Sequence, residues 1–517
     1  MNYLNIKAPY LLFQEIVNDE LYVDKSLLIE KISKKIRTNG KYICITRPRR
    51  FGKTINAAML GAYYTLGYDS QELFHRLAIE QTPDYKKHLN KHNVIYIDFS
   101  QIPDLCEDYR EYLISIIKKI RLDIKEYAPN TKIDDYDSLS SLFTSLEENF
   151  IFILDEWDSI FYKKFMTEEG KQEFLQFLKG LFKDQPYVEL VYMTGVLPIT
   201  KYSIGSELNM FDEYNFINDT IFDHYFGFYK DEVKELCKKH PTVSYEEIKL
   251  WYDGYHTSNG KSLFNPRSVN KALTRGICLN YWTETGPMNE IADCIEHNID
   301  EVRDDIIKLV AGICVEIDLK GYSASEQRLF TRDEILSAMV IYGFLSYHDR
   351  MLQIPNYELM EKFQSVLSRE SFGSVKEIID DSKKLLEATL SFQEQTVAEI
   401  LESIHDKEIP ILKYNDENSL SCVITLSYLY ARNHYWIERE MHTGKGYCDF
   451  IFFPKKHGMP GIIIELKMGH SCKEAIRQIK NKNYMQKLSS CKKILLVGIN
   501  YNKKKHHECK IESYDFN

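Results

Sequence analysis

Four short apolar runs, Tyr42 to Thr46, Val94 to Phe99, Phe150 to Leu154 and Val188 to Met193, each end in a polar or Gly-rich turn and are separated by helix-like segments. Strands apolar on both faces can be buried only where helices cover both sides of a sheet. The alternation therefore predicts an α/β domain with a parallel sheet over residues 1–225.

With 517 residues the chain exceeds what one core ordinarily serves, and its pattern changes twice. Residues 226–400 turn to helical periodicity, as in Asp231 to Leu236 and Tyr245 to Trp251. Within them Thr331 to Val340 reads as a capped helix. Gly343 to Tyr347 and Met351 to Pro355 follow as strands about a turn, a winged-helix-like order. Residues 401–517 alternate again: strands at Tyr435 to Glu440, Tyr447 to Phe453 and Gly461 to Lys467, a helix from Cys472 to Leu488, and a strand from Lys493 to Gly498. The Lys503 to Lys505 run reads as a solvated tail.

At 44% hydrophobic and 27% charged residues the composition is that of a globular protein. No apolar run approaches the roughly 20 residues that span a bilayer, and the start lacks a signal-peptide core. A cytoplasmic or nuclear protein without a membrane partner is expected. The 11 cysteines contain no C-x-x-C pair, so buried thiols are expected rather than a zinc knuckle. Net charge is −10, yet from Arg432 onward 17 Lys/Arg face 8 Asp/Glu, which leaves −19 for the rest. A basic segment on an acidic body suits a phosphate-facing surface, although solvated lysines give the same count.

Arg47-Pro48-Arg49-Arg50-Phe51-Gly52-Lys53-Thr54 follows the first apolar run and opens a helix. There, free backbone N–H groups and the helix dipole point at phosphates. Arg50 and Lys53 supply cations, Gly52 lets the backbone approach, and Thr54 offers a hydroxyl to Mg²⁺. Arg47 stands where the first glycine of such a loop belongs. Phe150 to Leu154 runs into Asp155-Glu156, the pair needed to hold Mg²⁺ and to orient or deprotonate a water. Thr194-Gly195 ends the next run, where Thr194 could sense the γ-phosphate.

Farther on, Asp449 and Glu465-Leu466-Lys467 lie on neighbouring expected strands. Alternation puts Glu465 and Lys467 on one face with Leu466 in the core. Asp449 beside them would complete a hard-oxygen Mg²⁺ site with a lysine for the water or the scissile phosphate. Gln478 and Lys482, four apart, could contact a phosphate backbone. Glu417, before the helix Ser419 to Tyr430, is either a third carboxylate or a helix N-terminal charge.

Tyr22-Val23-Asp24-Lys25-Ser26, the Arg47 to Thr54 loop, Leu154 to Asp158, Thr194-Gly195, Trp251 to Tyr255, Phe264-Asn265-Pro266 and Asn280 to Gly286 resemble, in order and spacing, an AAA-ATPase-like family. Its members carry a C-terminal PD-(D/E)XK nuclease domain. In that family the loop usually reads R-P-R-R-F-G-K-[ST], so Arg47 is a shared trait; Trp157 stands where Tyr is more usual. The resemblance implies an ATPase core with a helical extension, and it supports Asp449, Glu465 and Lys467 most, Gln478 less and Glu417 least. Arg267 is a weak arginine-finger candidate, a surface arginine being the plainer reading.

Two functions follow as expectations. One is an ATP- and Mg²⁺-dependent hydrolase with a nuclease domain acting on nucleic acid, DNA in the first instance, with a homo-oligomer compatible. The other is an ATP-switched binding or signalling protein whose nuclease-like domain is inert. A plain P-loop small-molecule kinase leaves the second carboxylate group unexplained.

Overall fold

The computed structural model describes residues 1–103, 106–199, 207–282, 302–319, 331–367, 374–412, 417–442, 447–456, 458–482, 484–502, 504 and 506–515. It divides into two compact units, Met1–Pro287 with Ile317–Arg350, and Met288–Glu316 with Met351–Asn517.

The first unit is built on strands β1 (Tyr42–Thr46), β2 (Asn93–Asp98), β3 (Phe150–Asp155), β4 (Val188–Gly195) and β5 (Asp212–Tyr214), in the order β2-β3-β4-β1-β5. All four neighbouring pairs are parallel. Alternation along each strand sends side chains to two cores. Phe152 and Leu154 of β3 meet one, with Phe174 and Leu178 of the helix Glu168–Phe182. Ile151 and Ile153 meet the other, with Met59 and Tyr63 of the helix Lys53–Tyr64. That two-sided burial is why the four runs are apolar throughout. The fifth strand was not foreseen, because three exposed or half-buried residues carry no apolar signal.

Helices Lys230–Lys239, Tyr245–Tyr252 and Pro266–Arg275 follow. The last is bounded by its sequence: the Asn265 side chain accepts from Ser268 N, Pro266 takes the first turn, and Gly276 at φ +66° ends it. Thr331 and Glu334 form a capping box on Arg332–Ile341, as the pattern anticipates. Short strands Ser346–His348 and Met351–Gln353 come next, with Asp349 and Arg350 at positive φ between them. Of the motif Asn280 to Gly286, Thr283 to Gly286 lie outside the described residues.

The second unit holds β6 (Tyr435–His442), β7 (Tyr447–Pro454), β8 (Gly461–Met468), β9 (Lys493–Tyr501) and β10 (His507–Asp515), side by side in that order. Only β8 and β9 run parallel; the other neighbours are antiparallel. The helix Cys472–Asn481 covers one face through Ile476 and Ile479 against Ile451 and Ile463. Leu385, Val397, Leu401 and Ile424 from three helices cover the other, against Phe452, Ile464 and Leu466. Of the Lys503 to Lys505 run, Lys503 and Lys505 lie outside the described residues and Lys504 is exposed. After it His507–Asp515 pairs with the whole of β9, a strand that the sequence pattern does not predict. His507 and Ile511 are buried while Glu508 is exposed, an alternation too polar to read from the sequence. The helix expected to reach Leu488 stops at Asn481 and gives way to a short 3₁₀ turn. No helix among the described residues is long and apolar enough to cross a membrane.

Candidate functional site

The loop from Arg47 to Thr54 joins β1 to the helix Lys53–Tyr64. Gly52 sits at φ +91° with nothing within 4 Å of where a Cβ would be, so its backbone conformation, not its space, calls for glycine. Lys53 is buried and its Nζ donates to the carbonyls of Arg47 and Pro48 at 3.2 and 3.3 Å, with Glu156 at 4.0 Å. Arg50 is at φ +72°, and its guanidinium donates to the Tyr281 carbonyl.

In the sheet, β4 lies between β1 and β3, so Thr194 stands between the loop and Asp155. The Thr194 hydroxyl donates to Asp155 Oδ1 at 2.5 Å, while Oδ2 is buried with no hydrogen-bond partner among the described residues. Burial pushes the Asp155 carboxyl up to about 6; the Thr194 and Thr54 hydroxyls pull it down and Glu156 pushes it up. A buried carboxylate with one free oxygen beside a hydroxyl suits a hard cation. Glu156 follows at φ +53°, a strained conformation for a side-chain-bearing residue. Gly195 is required by space: a Cβ there would lie 2.4 Å from Trp157 Cδ1 and 2.5 Å from Asp158 Oδ1. Asp158 accepts from Val196 N and Leu197 N, which holds the chain beyond Thr194 in place.

A cavity of about 540 Å³ opens over the loop, lined by Arg50, Gly52, Lys53, Thr54 and Glu156. Ile16, Leu21 and Tyr22 give it an apolar wall; Arg267, Lys271 and Arg275 give it a basic one. Such a division suits a ligand with an apolar ring and a polyanionic tail.

In the second unit, β7 and β8 pair as far as Phe450 and Ile464 and part beyond them. The Asp449 carboxylate there takes the Leu466 backbone N–H at 2.7 Å, in place of a strand partner. Glu465 is buried; its Oε1 accepts from Lys467 Nζ at 3.1 Å and from the Gln478 amide, and its Oε2 has no partner among the described residues. Leu466 points into the opposite core, as alternation requires. Burial first and the Asp449 charge second push the Glu465 carboxyl up to about 7, with Lys467 and Lys482 opposing. Asp449, Glu465 and Lys467 thus converge. Divalent metal fits the pair through the free Oε2, with water completing a shell that two carboxylates begin. Among the described residues no three His, Cys, Asp or Glu side chains cluster to hold a metal. The Glu417 side chain lies outside the described ones, though its backbone opens the helix Glu417–Ser427.

Residues 11–205 match the family described as predicted AAA-ATPase, and residues 415–511 match the PD-(D/E)XK nuclease superfamily. The chain joins an AAA-ATPase-like domain to a PD-(D/E)XK domain. Among solved structures, a Walker-type ATPase of Pyrococcus abyssi is 14% identical, over 66% of this chain and 94% of that one, with a TM-score of 0.32. The ORC2 protein of Aeropyrum pernix, in ADPNP–ADP complexes, is 11% identical over 68% and 96%, at 0.34. The ORC1 protein of the same organism, in complex with DNA, is 13% identical over 72% and 99%, at 0.25. These scores are too low to bear on either site. No curated protein gives a significant match.

Three features of these domains escaped the sequence. In the AAA-ATPase-like domain, Arg47 is buried against Asp219 and does not line the cavity that Lys53 lines. Arg267, Asn270, Lys271, Thr274 and Arg275 form one polar face of their helix on the cavity; the three-and-four spacing was the available signal. In the PD-(D/E)XK domain, the Gln478 amide is engaged with Glu465, while Lys482 Nζ lies 5.9 Å from the Tyr484 ring.

Proposed function

We propose that this chain binds and hydrolyses ATP in its first unit and cleaves nucleic acid, DNA in the first instance, at a metal-dependent centre in its second. The observation that carries this reading recurs at both places: a buried carboxylate, Asp155 or Glu465, with one oxygen held and the other unpartnered; Lys467 donates to Glu465 itself, and Lys53 lies 4.0 Å from Glu156, the residue after Asp155.

In the first unit Gly52, Lys53 and Arg50 take the phosphates, Thr54 and Asp155 hold Mg²⁺, Thr194 reads the terminal phosphate, and Glu156 orients the attacking water. The apolar wall at Ile16, Leu21 and Tyr22 takes the base. In the second, Asp449 and Glu465 hold the metal and Lys467 places the water, with Gln478 fixing Glu465 and Lys482 facing phosphate. When bound, the metal offsets charge building on the phosphate under attack. Residues 1–225 form the ATPase-like domain, 226–400 the helical and winged-helix-like region and 401–517 the nuclease-like domain in this reading, and the protein works in the cytoplasm or nucleus.

The test is cleavage of linear, circular and single-stranded DNA with Mg²⁺ or Mn²⁺, with and without ATP. Wild-type protein cuts; Glu465→Ala does not, yet binds ATP; Lys53→Ala loses ATP binding. A wild type that cuts nothing while still hydrolysing ATP leaves the switched-binding reading in its place.

A further inference from the structure

Nucleotide loops ordinarily open on a glycine, which can follow the sharp turn out of the strand. This one opens on Arg47, and the side chain is almost wholly buried. Its guanidinium donates to the Thr46 and Tyr214 carbonyls at 2.8 Å each, forms an ion pair with Asp219, and lies 4.9 Å from the Phe226 ring. Asp219 is itself fixed: Oδ1 accepts from Ile221 N and Phe222 N at 2.8 Å, and its carbonyl accepts from Ser258 Oγ. The backbone of Arg47 is equally engaged. Its N–H donates to the Gly195 carbonyl at 3.1 Å, and its own carbonyl is one of two that receive Lys53 Nζ. One residue therefore ties the ends of β4, β1 and β5 together and sets where the Lys53 amine rests.

We propose that Arg47, through Asp219, is a positioning residue for phosphate binding, which holds the loop by its side chain where other loops hold it by the freedom of a glycine. The proposal rests on the ATP reading of the cavity. It separates from a merely structural role because a buried ion pair and the apolar residues that replace it are often equally stable, whereas only the pair can grip two carbonyls and so fix the loop. Arg47→Lys keeps the charge and loses the fork.

The experiment measures ATP binding by calorimetry and melting temperature on the full-length chain. Wild type binds ATP and Lys53→Ala does not; absence of wild-type binding defeats the ATP reading, and the proposal with it. Arg47→Met combined with Asp219→Leu is expected to melt near the wild-type temperature yet bind ATP about tenfold or more weakly, as displaced phosphate ligands do. Melting and binding both at wild-type values overturn the proposal and leave the pair a packing element. Should the double variant not fold, Arg47→Lys decides: weakened ATP binding in a folded protein supports the proposal, and unchanged binding overturns it.

Discussion

Gly52 and Gly195 flank the proposed nucleotide site and resist substitution for different reasons, which makes them separable. Gly195→Ala would drive a methyl into Trp157 and Asp158. It is expected to destabilise the protein by about 1–3 kcal/mol, as overpacking does, and to disturb Thr194 as well. A Cβ at Gly52 meets nothing within 4 Å, and asparagine is a residue type that tolerates positive φ, so Gly52→Asn is the gentler change. It should leave the denaturation midpoint nearly unchanged and weaken ATP. Equal losses of stability in the two variants would refute the distinction. Glu156 carries strain at φ +53°. Glu156→Gly should therefore stabilise the fold by on the order of 1 kcal/mol and raise the melting temperature, the strain relieved exceeding the entropy that glycine adds to the unfolded chain, while hydrolysis disappears and ATP binding stays. A lower melting temperature would show that the conformation is not strained. At this scale the sequence showed what is contiguous: Gly52-Lys53-Thr54, Asp155-Glu156 and Glu465-Leu466-Lys467 are runs of adjacent residues, visible as motifs without any knowledge of the fold. Arg47 and Asp219 are 172 positions apart, and no local pattern pairs them.

Strand β10 and the helix Glu394–Leu412 meet at a pair of buried imidazoles, His405 Nδ1 and His507 Nε2 being 2.7 Å apart. Burial first, then His405, hold His507 down to about 4. The unfolded chain, with an ordinary value of about 6.5, takes the proton first, so stability is complete above about 6.5 and lost as pH falls toward 4. The loss is roughly 3 kcal/mol for a shift of this size. Glu465 and Asp155, raised to about 7 and about 6, gain stability over the same range, so the difference between wild type and His507→Gln in urea titrations at pH 7 and pH 5 isolates it, at roughly 2 kcal/mol. The same pH dependence in both would place the acid sensitivity elsewhere. The same strand was hidden from the sequence because its inward positions are histidine, cysteine and isoleucine among charges. The strands of the first sheet were plain because both of their faces are buried. The basic face of the helix Pro266–Arg275 belongs to this scale too. Replacing Arg267 and Lys271 together by alanine should weaken ATP most at low salt, where exposed charge acts over the longest range.

Across the whole molecule the two sites are expected to answer to different ligands. ATP at about 100 times its dissociation constant should stabilise the chain by roughly 3 kcal/mol. That gain should vanish in Lys53→Ala and survive in Glu465→Gln; Mn²⁺ without nucleotide should show the reverse dependence. Loss of both effects in either single variant would contradict separate sites. The α/β class and both carboxylate groups were legible in the sequence, since they follow from period-two burial and short motifs. What surrounds the loop was not, because it is assembled from distant segments. Phe51 rests 5.1 Å from the Tyr255 ring, the Tyr255 hydroxyl bonds the Gly343 carbonyl at 2.8 Å, and a Cβ on Gly343 would come within 2.8 Å of Pro48. Because a methyl has no room between 48 and 343, a displacement of the loop is expected to carry over to the start of the Ser346–His348 strand, as one tooth turns the next in a gear train.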